Sequence, residues 1–202
     1  MKLYYAPGAC SLSPHIVARE LGIAIDLEKV DLKAKKTASG GDYNAVNPKG
    51  YVPLLELDNG ERLTEGPAIV QYLADQKPES GLAPKAGTME RVRLQEWLSF
   101  VGFELHKTWG ALFNPKVGGD WKEATLDRLG LRLDYLAKQL DGKQYLMGER
   151  FTVADAYAFT ILNWSGFTGV DLGRWPGIKA FHARVGARPK VQEALKAEGL
   201  VK

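Results

Sequence analysis

The spacing of apolar residues changes several times along the first third of the chain, and each change marks an element. Residues 2–5, Lys-Leu-Tyr-Tyr, predict a short aromatic strand, which Pro7-Gly8 ends. Ser13-Pro14 then reads as a helix start, with a cap-type residue followed by proline in the first turn. Ile16, Val17 and Leu21 keep helical spacing, and Gly22 supplies the stop. Residues 25–30 alternate with period two, so a second strand follows, parallel to the first in a βαβ unit. Residues 33–47 are polar and predict a loop with a short helix. Residues 53–57 predict a strand, Asp58-Asn59-Gly60 a hairpin turn, and residues 62–64 its antiparallel partner. Ile69, Val70, Tyr72 and Leu73 place a helix over 67–75, giving the order β-α-β-α-β-β-α.

Beyond this point the strand period disappears. A Pro/Gly-rich stretch over 79–87 predicts a linker between a sheet-based domain at 1–78 and an all-helical domain at 88–202. Leu94, Leu98, Val101, Leu105, Trp109 and Leu112 mark one long helix from about residue 89. Leu129, Leu133, Leu136 and Leu140 mark a second over 126–140. Phe151-Thr152-Val153-Ala154-Asp155 opens a third, with Thr152 and Asp155 placed as a capping box in which Asp replaces Glu. Helices over 175–185 and 189–200 complete the domain.

With 202 residues, 45% of them hydrophobic and 25% charged, the chain has the composition of an ordinary globular protein. The net charge of +3 and the lack of any Lys/Arg run longer than two argue against nucleic acid as a partner. No stretch is apolar enough to span a membrane and no signal-peptide pattern follows Met1, so a soluble cytoplasmic protein is expected. Residues 1–78 carry 9 Lys/Arg against 10 Asp/Glu, leaving 18 against 14 for 79–202. That mildly basic half would attract a small anion to a cleft between the domains, or is simply a solvated face.

Cys10 is the single cysteine, so no internal disulfide is possible. At a strand-to-helix turn it lies near unpaired N–H groups and the positive end of a helix, which favour the thiolate. Val52-Pro53 opens the third strand; a cis bond there would turn the Val52 backbone toward a peptide-like ligand, whereas an ordinary trans turn would not. At Thr64-Glu65-Gly66-Pro67 the helix start offers N–H groups to a carboxylate. Glu65 there either holds an ammonium or caps the helix. His106 shares a stripe with Ser99, Phe103 and Gly110 that could face the cleft. His15 could lie close to Cys10, and His182 reads as a helix-surface residue. No histidine or cysteine pair has metal-ligand spacing, and no metal is expected.

Taken in order, residues 4–11, Asn47-Pro48-Lys49-Gly50-Tyr51-Val52-Pro53, residues 63–69, Glu104-Leu105-His106-Lys107 and residues 151–155 resemble the bacterial beta-class cytosolic glutathione transferases. The resemblance spans essentially the whole chain. It implies an α/β thioredoxin-like N-terminal domain, an all-α C-terminal domain and a homodimer that binds glutathione as co-substrate. It implies a cis Pro53, with Val52 pairing with the cysteinyl part of glutathione. Glu65 and Gly66 would take the γ-glutamyl end, and Lys35 would lie near the glycine end. Cys10 would face the glutathione sulfur and be able to form a mixed disulfide with it, and His106 would approach the same place. Tyr5 and Ser11 would line the site, and Lys107 would stand beside it. Ser99 replaces the asparagine frequent in the class, and Phe103 replaces a small or polar residue, suggesting a more apolar wall for a hydrophobic electrophile. The expected activity is conjugation of glutathione to such electrophiles in detoxification. Two alternatives are a glutathione-dependent thiol–disulfide oxidoreductase or dehalogenase, monothiol because residue 13 is serine, and a non-catalytic interaction protein.

Overall fold

Strand β1 (Lys2–Tyr5) lies at the centre of a five-stranded sheet, because Leu3, Tyr4 and Tyr5 are buried and leave it no solvent face. The computed structural model describes residues 1–202. The sheet order is β3-β2-β1-β4-β5, with β2 at Asp26–Asp31, β3 at Lys36–Thr37, β4 at Leu54–Glu56 and β5 at Arg62–Thr64. β1 pairs parallel with β2 (Leu3 opposite Leu27) and antiparallel with β4 (Leu3 opposite Leu55). The β4–β5 hairpin pairs Leu55 with Leu63, and its turn at residues 58–60 is where the sequence predicts it.

Alternation along β1 sends its side chains to two faces. Tyr4 packs with Tyr43, Val30, Val52 and Leu54 beneath the short helix α2 (Tyr43–Val46). Tyr5 points the other way, toward His15 of helix α1 (Leu12–Leu21). Helix α1 packs against α3 (Gly66–Asp75) and against the last helix, α10 (Pro189–Ala197). Gly22 closes α1 at φ 61°, the left-handed conformation expected of a C-terminal glycine. Strand β3 was not expected: two residues are too few to show a period.

The second unit is helical: α4 (Met89–Phe100), α5 (Lys107–Gly110), α6 (Gly119–Leu140), α7 (Val153–Leu162), α8 (Ser165–Thr168) and α9 (Pro176–Gly186). Helix α7 is buried at every position and touches α4 and α9, so it forms the axis of this unit. The expected long helix from residue 89 is interrupted. A π-type turn at Val101–His106 widens it, with the Lys107 N–H bonded to Gly102 O five residues back. Helix α6 starts earlier than residue 126 because its opening turns are exposed and carry no apolar stripe; Leu126 is itself exposed. No helix is long and apolar enough to cross a membrane.

Two compact units result, but their bounds differ from the expected 1–78 and 88–202. Met1–Ser80 joins Arg188–Lys202, and Gly81–Ala187 forms the other. Helix α10 belongs to the first unit because Val191, Ala194 and Leu195 are buried and Arg188 forms a two-pronged ion pair with Glu20 of α1, at 2.7 and 2.8 Å. Most of the expected linker joins the second unit: Leu82 and Ala83 are buried, and Leu82 O accepts from the Val153 N–H.

The capping box forms as predicted. The Asp155 carboxylate accepts from the Thr152 N–H (2.8 Å), the Thr152 hydroxyl (2.9 Å) and the Leu146 N–H (2.8 Å). Burial pushes its carboxyl up to about 6, against the pull of those donors. Between about pH 4 and 6 the folded chain therefore holds a proton that the unfolded chain releases, and this group adds stability as pH falls through that window. Asp155→Asn removes that term. Urea unfolding at a series of pH values should show the wild-type-minus-variant difference growing from pH 7 to pH 4.

Candidate functional site

The turn between β1 and α1 is built before Cys10 is reached. The Ala9 N–H bonds Ala6 O at 3.0 Å, and Gly8 takes φ 71°, a conformation costly for any residue with a Cβ. Ser11, fully buried, donates to Ala6 O and accepts from the Ala6 N–H, both at 3.2 Å; its hydroxyl pins the turn. The helix begins at Leu12, so Ser13 is not its cap. Ser13 Oγ is buried without a hydrogen-bond partner. Cys10 emerges half-buried, and its thiol donates to Val52 O at 3.2 Å.

That contact joins the cysteine turn to a second corner. The Val52–Pro53 bond is cis, and Val52 stands just outside the β4–β5 ladder, which begins at Leu54. The Tyr43 hydroxyl and Asn47 Nδ2 both donate to Tyr51 O, at 3.0 and 2.7 Å, fixing the approach to the corner. Gly50 sits at φ 69° and its carbonyl accepts from Lys35 Nζ at 2.6 Å. A Cβ at Gly50 would lie 3.1 Å from Asn44 Oδ1, so a side chain here would displace Asn44 as well as strain the backbone.

A third corner adjoins the second: a Cβ at Gly66 would meet Pro53 Cγ at 4.0 Å. Glu65 does not cap helix α3. It holds φ 69°, and its carboxylate instead accepts from Lys49 Nζ at 2.7 Å and the Tyr51 hydroxyl at 3.0 Å. Lys49 Nζ also reaches Thr64 Oγ1 at 2.8 Å, and the bond to Glu65 raises the lysine's pKa. Gly66 begins α3 with Pro67 behind it, which leaves an N-terminal N–H facing outward from the helix. The first unit thus brings Cys10, Val52, Pro53 and Gly66 into one row, with Glu65 at one end; Lys35 bonds to Gly50, two residues before Val52.

One member of this region carried no sequence signal. Glu198, just past α10, is fully buried; its carboxylate accepts from the Gly8 N–H at 3.0 Å and pairs with His15 Nδ1 at 2.9 Å. His15 is likewise fully buried, its Nε2 3.4 Å from Arg19 Nε. Burial raises the Tyr5 phenol, and the Glu198 charge adds to the rise.

In the second unit, His106 ends the wide turn. Its Nδ1 lies 2.6 Å from the Tyr157 hydroxyl, and its ring meets Trp164 edge-on at 4.9 Å. The wide turn changes the expected stripe: Phe103 is 70% exposed while His106 is half-buried. Ser99 and Lys107 are exposed. His182 is not a surface residue. It stacks on Phe159 at 4.8 Å and bonds Asn163 Oδ1 at 2.7 Å, and burial lowers its pKa. Nowhere do three His, Cys, Asp or Glu side chains gather as metal ligands would.

Residues 8–76 match the family model for the N-terminal domain of glutathione S-transferases, and residues 100–189 match that for the C-terminal domain. The glutathione S-transferase GstA of Escherichia coli O157:H7 is 46% identical over 200 residues, covering 99% of this chain and 100% of that one. The chain belongs to the glutathione S-transferase family. A beta-class transferase of Sphingomonas chungbukensis superposes with a TM-score of 0.96 at 49% identity, covering 100% of both chains. A sphingomonad transferase complexed with glutathione gives 0.95 at 46%, again covering 100% of both. This transferase therefore has the thioredoxin-like and helical domains that the sequence implies. Its N-terminal match includes Cys10, Val52, Pro53, Glu65 and Gly66, and its C-terminal match includes His106. Glu198 lies outside both matched segments.

Glu198→Ala removes the buried carboxylate shared by the Gly8 N–H and the His15 ring nitrogen. The variant is expected to lose about 3 kcal/mol of stability, measured as a lower urea midpoint at unchanged slope.

Proposed function

We propose that the protein conjugates glutathione to hydrophobic electrophiles and that Cys10 also exchanges with glutathione disulfide. The observation that carries this reading is the 3.2 Å contact between Cys10 Sγ and Val52 O. A peptide that pairs with the Val52 backbone in an extended form brings its own cysteinyl sulfur beside Cys10. The γ-glutamyl end then meets Gly66 and Glu65: an N–H at a helix start suits its carboxylate, and the acidic side chain suits its ammonium. Lys35 supplies a cation for the glycine carboxylate. The relative complexed with glutathione supports the choice of ligand.

In conjugation, the glutathione thiolate attacks an electrophilic carbon. A C–S bond forms, the leaving group departs with its electron pair, and the thiol proton goes to solvent. Hydrogen bonds to the sulfur lower its pKa, and the bound geometry aligns it. The family resemblance assigns one such bond to His106, the electrophile wall to Phe103 and Lys107, and a place beside the glutathione to Ser99; Tyr5 and Ser11 support the cysteine turn. In exchange, the Cys10 thiolate attacks one sulfur of glutathione disulfide. A Cys10–glutathione disulfide forms and glutathione thiolate leaves. With Ser13 in place of a second cysteine, resolution needs another glutathione, so thiol–disulfide exchange is a monothiol reaction here. The protein acts as a cytoplasmic homodimer and uses no metal.

Intact mass after treatment with glutathione disulfide should show one reducible glutathione adduct on the wild type and none on Cys10→Ala. Turnover of a chloronitrobenzene should fall about tenfold or less in that variant, since the reacting sulfur is that of glutathione. An equal adduct on Cys10→Ala removes the cysteine assignment, and turnover no faster than the uncatalysed reaction removes conjugation. Glu65→Gln, which keeps the shape but not the charge, should raise the KM for glutathione about tenfold with kcat nearly unchanged.

A further inference from the structure

We infer that Tyr157 is a positioning residue that fixes His106 as the tautomer protonated at Nε2. The inference rests on the reading of His106 as a group that meets the reacting sulfur, and it assigns that histidine a definite chemical role.

Tyr157 Oη and His106 Nδ1 are 2.6 Å apart, in hydrogen-bond contact. Of the two groups a phenol is the stronger donor and an imidazole nitrogen the stronger acceptor, so the favoured arrangement has the hydroxyl donating to Nδ1. Neutral imidazole carries one proton, so it then resides on Nε2. With the proton on Nε2, His106 has no lone pair there with which to take another, so toward a thiolate it can act only as a donor. It stabilises a thiolate as a donor and does not generate one as a base.

The surroundings hold this arrangement firmly. Tyr157 is 3% exposed and sits on α7, the helix buried along its whole length and anchored at its start by Thr152 and Asp155. Trp164, also buried, meets the imidazole edge-on at 74°, and Tyr157 meets it at 83°, so aromatic rings restrict its rotation. The wide turn at Val101–His106 brings the backbone close to the tyrosine hydroxyl as well: a Cβ at Gly102 would lie 3.7 Å from Oη. Widened turns of this kind recur at functional sites, where they re-aim a side chain.

The test combines a spectroscopic and a kinetic measurement on the full chain. In 15N-labelled protein at neutral pH, with His106 assigned through His106→Gln, the wild type should show Nδ1 unprotonated and Nε2 protonated. Tyr157→Phe, which keeps the ring and its packing, should move the Nδ1 resonance and mix the tautomers. Its kcat with a chloronitrobenzene should fall about fivefold while the KM for glutathione stays within about twofold. In the His106→Gln background the same change should alter kcat by less than about twofold, since the tyrosine acts through the imidazole. A protonated Nδ1 in the wild type, unmoved resonances in Tyr157→Phe, or an equal loss of kcat in the His106→Gln background would overturn the inference. Full activity of His106→Gln alongside the expected resonances supports the tautomer and removes only the catalytic reading of His106.

Discussion

A carboxylate shut away from water must be met by donors inside the protein, and the way Glu198 is met organises the whole first unit. One oxygen takes the Gly8 N–H and the other faces the His15 ring. Gly8 belongs to the turn that presents Cys10, and His15 to the helix that follows it. The turn is therefore complete only when the last helix has returned to its place against α1, with Arg188 clamped on Glu20 at the other end of the contact. A cysteine near the start of the chain owes its setting to a glutamate near the end.

Most of the groups in the proposed binding row of this unit are main-chain groups. The Val52 carbonyl, the N–H that opens α3 at Gly66 and the Gly50 bend behind them stand where they do because proline and glycine shape the three corners. Side chains work behind them: Ser11 closes the cysteine turn, Tyr43 and Asn47 hold Tyr51 O, and Lys35 holds Gly50 O. On the proposed reading, such a row would pair with an extended peptide through its backbone and set a sulfur beside Cys10. The second unit works differently. There a single side chain, His106, is aimed by its neighbours Tyr157 and Trp164.

What could be read from the sequence was local. The β1–α1–β2 unit, the turn at 58–60 and the Thr152–Asp155 box each depend on residues within a few positions of one another, and each stands where its pattern placed it. The family motifs also singled out Cys10, Val52, Pro53, Glu65 and Gly66, which the fold brings into one row. What escaped was set by distance or by small departures from regularity. Nothing near Glu198 announces that it will bond a glycine 190 residues earlier. The wide turn at 101–106 preserves the apolar rhythm on either side, so it reads as unbroken helix. Ser13 fits the cap pattern, but the turn starts the helix at Leu12 and leaves its hydroxyl inside. For Glu65 the sequence allowed either a cap or an ammonium partner; a backbone at φ 69° directs the carboxylate away from the helix and toward Lys49.

That lysine alters what recognition at Glu65 consists of. With Lys49 already at 2.7 Å, an arriving ammonium replaces one cation with another, and the net gain is the difference between two ion pairs in a solvent-exposed, screened position. A simple amine gains little from such an exchange. On the proposed reading a zwitterionic head group would gain more, its ammonium taking the glutamate while its carboxylate meets the Gly66 N–H and the displaced lysine. The resting ion pair would then act as a filter, favouring ligands that carry both charges on one carbon.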